Sequence, residues 1–117
     1  MPKGYWIARV DVHNAEAYKN YAAANGVAFA KFGGRFLVRG GAFEAPVGTP
    51  RQRNVVIEFP SVEAAKACWD SPEYQAARAK QEGGAEMELV VIEGYDGPQP
   101  GAAGNAPPPT ASTPASE

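Results

Sequence analysis

The sequence predicts an α+β fold in which a four-stranded antiparallel sheet carries its helices on one face. Three observations lead there. Four short stretches rich in β-branched and aromatic residues alternate along the chain in the way strands do. Between the first and second, and again between the third and fourth, the apolar spacing becomes helical. On the first three strands one set of alternate positions is apolar throughout, which suits a helix layer, while the other set is mixed. The element order β-α-β-β-α-β is that of the ferredoxin-like split βαβ, with spatial strand order 4-1-3-2.

The first strand is "GYWIARVDV", Gly4 to Val12. Trp6, Ala8, Val10 and Val12 point one way, and Tyr5, Ile7, Arg9 and Asp11 the other. "HNAEAYKNYAAANGVAFAKF" is helical, with Asn14 as N-cap, Glu16 in the first turn and Tyr18, Tyr21, Ala28 and Phe32 near one face. Asn25-Gly26 weakens its middle and predicts a bend or split. "GGRFLVRGG", Gly33 to Gly41, raises a choice between a phosphate loop and a strand. A phosphate loop joins a strand to the N-terminus of the next helix. This stretch follows a helix, and no helix begins after it, so it is a strand. Its first glycines stop the helix and its last are bulge points. Strict alternation places Phe36 and Val38 on one side, and Arg35, Leu37 and Arg39 on the other. "EAPVGTPRQR" is a loop. "NVVIEF" is the third strand, with Val55, Ile57 and Phe59 opposite Asn54, Val56 and Glu58. Ser61 caps a helix to Asp70. Ser71, Pro72 and Glu73 restart it, and Gly83-Gly84 stop it. "MELVVIEGY", Met87 to Tyr95, is the last strand.

The mixed face of the sheet is informative. A solvated face does not need Ile7, Leu37 and Val56 together, and a plain core does not hold Arg9, Arg39 and Glu58. The pattern predicts a homodimer whose two sheets close face to face into an α/β barrel around a polar cluster.

The 117 residues divide into a folded part over 1–96 and a tail over 97–117. The tail, "GPQPGAAGNAPPPTASTPASE", holds six of the eleven prolines and no aromatic residue, too little apolar surface to offset ordering. It is expected to be disordered, with a Pro-rich binding motif as the sharper alternative. Truncation after Gly97 is then expected to leave the thermal midpoint nearly unchanged. A fall of about 5 °C, or about 1 kcal/mol for a domain this small, would show that the tail docks. A net charge of −2 and a pI near 5.4 give no electrostatic footprint for nucleic acid or an anionic membrane. No apolar run reaches the length of a membrane span and no signal peptide is recognisable, so a soluble cytoplasmic protein is expected. One cysteine, Cys68, excludes an intrachain disulfide.

"GYWIARVDV", "AFAKFGGRFLVRGG", "RNVVIEFPS", "SPEYQAAR" and "VVIEGYDG" together resemble the domain of unknown function 1330 family, within the dimeric α/β-barrel superfamily. The resemblance covers roughly residues 2–97. It implies the ferredoxin-like fold and the barrel dimer but no established activity. Superfamily relatives include cofactor-independent monooxygenases, muconolactone isomerases, haem-binding enzymes and stress-response proteins, and a shared fold does not choose among them. Family members often carry an arginine late in the second helical segment. Here "ARAKQEGG" places Gln81 there, which leaves that arginine's anion role without its residue.

Among the residues themselves, Arg39 with Glu58 is the leading constellation. A guanidinium can grip a carboxylate, enolate or phosphate, and a desolvated carboxylate beside it can act as general base. The blander reading is a structural ion pair. Arg35 belongs at the rim, and Arg9 has Asp11, Glu58 or Glu93 as partners. Tyr5 shares the mixed face and joins Arg9 and Arg39 as a candidate ligand contact. His13 is a second candidate acid/base, against a surface or capping role. Trp69 and Tyr74 flank the helix break, either lining a pocket for a planar ligand or serving as core. One histidine and one distant cysteine make a poor metal set, and no cofactor is expected. Two functions compete: a binder of a small anionic or enolic metabolite, with cofactor-independent catalysis in the barrel cleft, and a non-catalytic structural or stress-related dimer.

Overall fold

The computed structural model describes residues 2–101. Seven elements follow one another: β1 (Gly4–Val12), α1 (Ala15–Lys31), β2 (Arg35–Arg39), β3 (Arg53–Phe59), α2 (Val62–Asp70), α3 (Pro72–Ala79) and β4 (Ala85–Glu93). They form one antiparallel sheet in the order β2-β3-β1-β4, the expected order counted from the other edge. Most of the tail, residues 102–117, lies outside the described residues, so the expectation of disorder is not addressed there.

Local chemistry sets the helix boundaries. Asn14 Oδ1 accepts from Ala17 N at 3.1 Å, and Gly33, at φ +76°, ends α1 in the left-handed region. Ser61 Oγ accepts from Ala64 N at 3.0 Å. Ser71 serves two helices, donating its hydroxyl to Cys68 O at 2.7 Å and accepting from Tyr74 N at 3.1 Å. That shared cap and Pro72 place the break where the sequence predicts it. The expected bend at Asn25-Gly26 is absent, and α1 runs unbroken from Ala15 to Lys31. β4 begins two residues earlier than expected, and β3 begins at Arg53 rather than Asn54.

All helices lie on one face of the sheet. Trp6, Ala8 and Val10 from β1, and Val55, Ile57 and Phe59 from β3, are buried against Tyr21, Ala28, Phe29, Ala65, Cys68 and Tyr74. Trp6 is the hub, with its indole N–H donating to Ala65 O at 2.8 Å. The opposite face stays open. Ile7, Val90 and Ile92 are exposed there, and Ile7 pairs in register with both Val56 and Val90.

The alternation expected for β2 fails at one place. Phe36 opposes Ile57, but it is Val38, not Leu37, that opposes Val56, and Arg39 then opposes Val55. Leu37 is an extra residue in a β-bulge. The glycines expected to bulge do a different job. Gly40, at φ +67°, turns the chain out of β2, and a Cβ there would sit 2.6 Å from the Arg53 guanidinium.

Candidate functional site

The bulge decides where the arginines go. One inserted residue reverses the parity of everything after it, so Arg39 follows Phe36 onto the helix-facing side. Its guanidinium lies 4.2 Å from the centre of the Phe36 ring. Glu58 stays on the open face, where Tyr5 and Arg35 are its register neighbours. The expected Arg39–Glu58 constellation is therefore not formed, because the sheet separates the two side chains. Arg39→Met and Glu58→Leu are accordingly expected to act independently on stability, their effects adding within about 0.5 kcal/mol in a double-mutant cycle. Coupling above about 1 kcal/mol would contradict this placement.

Glu58 has other company. Tyr5 donates its hydroxyl to Glu58 Oε2 at 2.9 Å, and Arg35 Nε is 3.7 Å from Oε1. The hydrogen bond to this carboxylate, with some desolvation, holds the Tyr5 phenol above its usual range. At the other end of the same face lies a larger ion-pair network. Arg51 reaches Asp11 at 2.8 Å, Glu88 at 3.2 Å and Glu86 at 3.5 Å, while Arg9 reaches Glu88 at 3.2 Å. Arg9 thus pairs with Glu88 rather than with Asp11, Glu58 or Glu93, and the Asp11 partner is Arg51, from the stretch between β2 and β3. The hydrogen bond from Arg51 holds Glu88 below the usual carboxylate range. His13 is exposed, 3.6 Å from Glu86. It follows Tyr5 by eight residues of extended chain, so roughly 26 Å separates it from the Glu58 end.

The helix-facing side holds a different arrangement. Between α1 and the sheet lies a cavity of about 50 Å³, bordered by Trp6, Tyr18, Tyr21, Asn25, Arg39 and Arg53. Asn25 is buried on α1, four residues after Tyr21 and so on the same helical face. Its Oδ1 and the Nε of Arg53 are both shielded from solvent without a hydrogen-bond partner. Each such atom costs about 1–3 kcal/mol until something satisfies it. The Arg53 guanidinium lies 5.5 Å from the centre of the Tyr18 ring. Among the described residues neither Arg39 nor Arg53 takes part in an ion pair. Among the described residues no carboxylate and no histidine lines the cavity. Beneath it, Tyr21 and Tyr74 share a hydrogen bond of 2.8 Å between their hydroxyls, and burial raises both phenols above the usual tyrosine range, Tyr74 strongly. Tyr74 is fully buried and belongs to the core cluster. Trp69 is half-buried and faces a groove beside β4. Cys68 is fully buried and its thiol is pushed up to about 12 by that burial, which leaves it unreactive near neutrality. Among the described residues there is no cluster of three metal-ligating side chains, and no helix long and apolar enough to cross a membrane.

Fold and cleft together define a ferredoxin-like α+β protein with a cationic, aromatic-walled cavity under its first helix. The chain belongs to the family described as Domain of unknown function (DUF1330), whose profile matches residues 3–95. The protein RPA0582 of unknown function from Rhodopseudomonas palustris has the same fold, with a TM-score of 0.66 at 21% identity over 82% of this chain and 85% of that one. SnoaB, a cofactor-independent oxygenase from Streptomyces nogalater, superposes with a TM-score of 0.56 at 13% identity, over 87% of this chain and 99% of its own. A dimeric protein of unknown function and ferredoxin-like fold from Bacteroides fragilis gives 0.54 at 17% identity, covering 78% and 95%. Among curated proteins none matches the chain.

Proposed function

We propose that this protein is a homodimeric small-molecule binder whose protomers each hold a planar carboxylate or enolate in the cleft between α1 and the sheet. The observation that carries the reading is the contrast between its two sets of arginines. On the open face Arg9, Arg35 and Arg51 are matched with carboxylates, as a structural cluster should be. In the cleft Arg39 and Arg53 have none; each lies over an aromatic ring, and Arg53 Nε and the neighbouring Asn25 Oδ1 are buried without a hydrogen-bond partner. A guanidinium pair of this kind suits the oxygen pair of a carboxylate or an enolised carbonyl. The cavity takes such a head group, and the ring of the ligand lies at the mouth between Tyr18 and Phe36.

The cleft offers binding and charge stabilisation rather than a general base. The raised Tyr21 phenol is a hydrogen-bond donor at neutral pH, not a proton acceptor. An enolate stabilised by two guanidinium groups is a starting point for chemistry without a cofactor, which is how SnoaB is described. Glu58 and His13 take no part in that chemistry on this reading; Glu58, with Tyr5 and Arg35, belongs to the dimer seam. The dimer reading rests on the exposed Ile7, Val38, Val90 and Ile92 of the open face, a continuous apolar band between two charged ends. The fold relative described as dimeric is in keeping with it.

Benzoate is a suitable probe. Titration followed by amide NMR is expected to show saturable binding with shifts around Asn25, Gly40 and Arg53. Arg53→Gln with Arg39→Gln should weaken it by roughly tenfold or more while the thermal midpoint shows that the fold survives. Absence of saturable binding, or equal binding by the double variant, would overturn the cleft reading. Native mass spectrometry of the purified protein reports the dimer mass and any retained ligand in one measurement.

A further inference from the structure

The cleft is not the whole of the open space on the helix side. Beyond β4, at the edge of the sheet, runs an open groove of about 630 Å³. Its floor is the helix-facing side of β4, Met87, Leu89 and Val91, and its wall is Trp69, Arg78 and Gln81. Volumes of this order are those of ligand sites, whereas the inner cavity alone is head-group sized. Arg78 lies with its guanidinium 5.0 Å from the centre of the Trp69 ring. Among the described residues it forms no ion pair, its side-chain contact being Gln75 Oε1 at 3.4 Å. Gln81 is buried to more than nine-tenths, and its Oε1 has no hydrogen-bond partner. The groove therefore combines a free cation on an aromatic face with an apolar floor.

Met87 and Leu89 border both spaces, the inner cavity on one side and the groove on the other. These two side chains are the lining that the cavity and the groove share. Met87 is the natural movable part, because an unbranched thioether side chain with three rotatable bonds repacks at little cost. We infer that the groove beside β4 is the outer half of the ligand site and that Met87 is the partition which moves to join it to the inner cavity. The ligand class that follows is an elongated hydrophobic acid. Its apolar body lies along the helix-facing side of β4 and β1, with one polar end at Arg53 and Asn25 and the other within reach of Arg78. From β3 across β1 to β4 is two strand spacings, roughly 10 Å, which sets the minimum length of the body.

This inference rests on the cleft reading above, and the experiment separates the two. The long probe is biphenyl-4,4'-dicarboxylate, an aromatic dianion with a carboxylate at each end followed by calorimetry, and the short probe is benzoate. Arg78→Gln should weaken the long probe by roughly three- to tenfold, as should Arg53→Gln, while Met87→Ala should tighten it. Benzoate affinity should be the same in Arg78→Gln as in the unaltered protein. If the long probe responds to neither Arg78→Gln nor Met87→Ala while benzoate still depends on Arg53, the inner cleft stands and the joined site falls. If the long probe responds to Arg78→Gln but not to Met87→Ala or Arg53→Gln, the groove is a separate surface site and the inference is equally overturned. If benzoate fails to bind the unaltered protein, the cleft reading fails first and the joined site fails with it.

Discussion

Ile7→Lys is expected to convert a dimer into a folded monomer. Ile7 is at the centre of the open face, paired in register with Val56 on one side and Val90 on the other. In the single chain it is 39% exposed, so a lysine there can extend its charge into water and leave the fold intact. Closed against a second sheet, the same lysine would be buried without a partner, at a cost of several kcal/mol. Light scattering at micromolar concentration should therefore give the dimer mass for the unaltered chain and the monomer mass for Ile7→Lys, with unchanged circular dichroism. A monomeric unaltered chain would end the dimer reading. Ile7 is a better test position than Leu37, which also carries the open-face argument in the sequence. Leu37 is the bulged residue of an edge strand, outside the register of the face.

That difference shows where the sequence is legible. β1 and β3 are inner strands whose alternation is uninterrupted, so Trp6, Ala8, Val10, Val55, Ile57 and Phe59 are identifiable as core from period two alone. The caps at Asn14, Ser61 and Ser71 are equally legible, because each satisfies specific backbone donors within four residues of itself. β2 is different in kind. A single bulge inside five residues leaves the composition of the strand unchanged but moves Arg39 through the sheet. No local signal marks it, since Phe36, Leu37 and Val38 are all apolar and any of them could be the extra residue.

The cleft is hidden for a related reason. Arg53 stands one residue before the expected start of β3 and reads as loop. Asn25 reads as a helix-weakening residue beside Gly26. Its burial could have been inferred from its position four residues after Tyr21, but its polarity argued against that face. Arg51 brings together Asp11, Glu86 and Glu88, which come from two strands and are matched only by register. Register between strands far apart in sequence depends on the whole sheet, so such a cluster is invisible from the residues that compose it.

Trp6→Ala is expected to be the most destabilising single change in the chain. Trp6 is 1% exposed and packs against Phe29, Phe59, Trp69 and Tyr74, with ring centres 5.3, 5.5, 6.0 and 4.9 Å away. Through these rings it ties β1 to α1, to β3 and to the junction of α2 with α3. Removing a buried tryptophan costs about 3–5 kcal/mol, from lost transfer energy and the cavity left behind. For a domain of this size that corresponds to a fall in thermal midpoint of about 15 °C or more. Trp6→Phe keeps most of the apolar surface and gives up the indole N–H to Ala65 O. It should cost about 1–3 kcal/mol, from the lost hydrogen bond and the space left by the smaller ring. Thermal unfolding by circular dichroism orders the three proteins. Should Trp6→Ala lose less than about 5 °C, roughly 1 kcal/mol, the helices are held to the sheet by contacts other than this hub. Because Trp6 also borders the inner cavity, Trp6→Phe should remain folded yet alter benzoate binding, which links the core of the fold to the floor of its cleft.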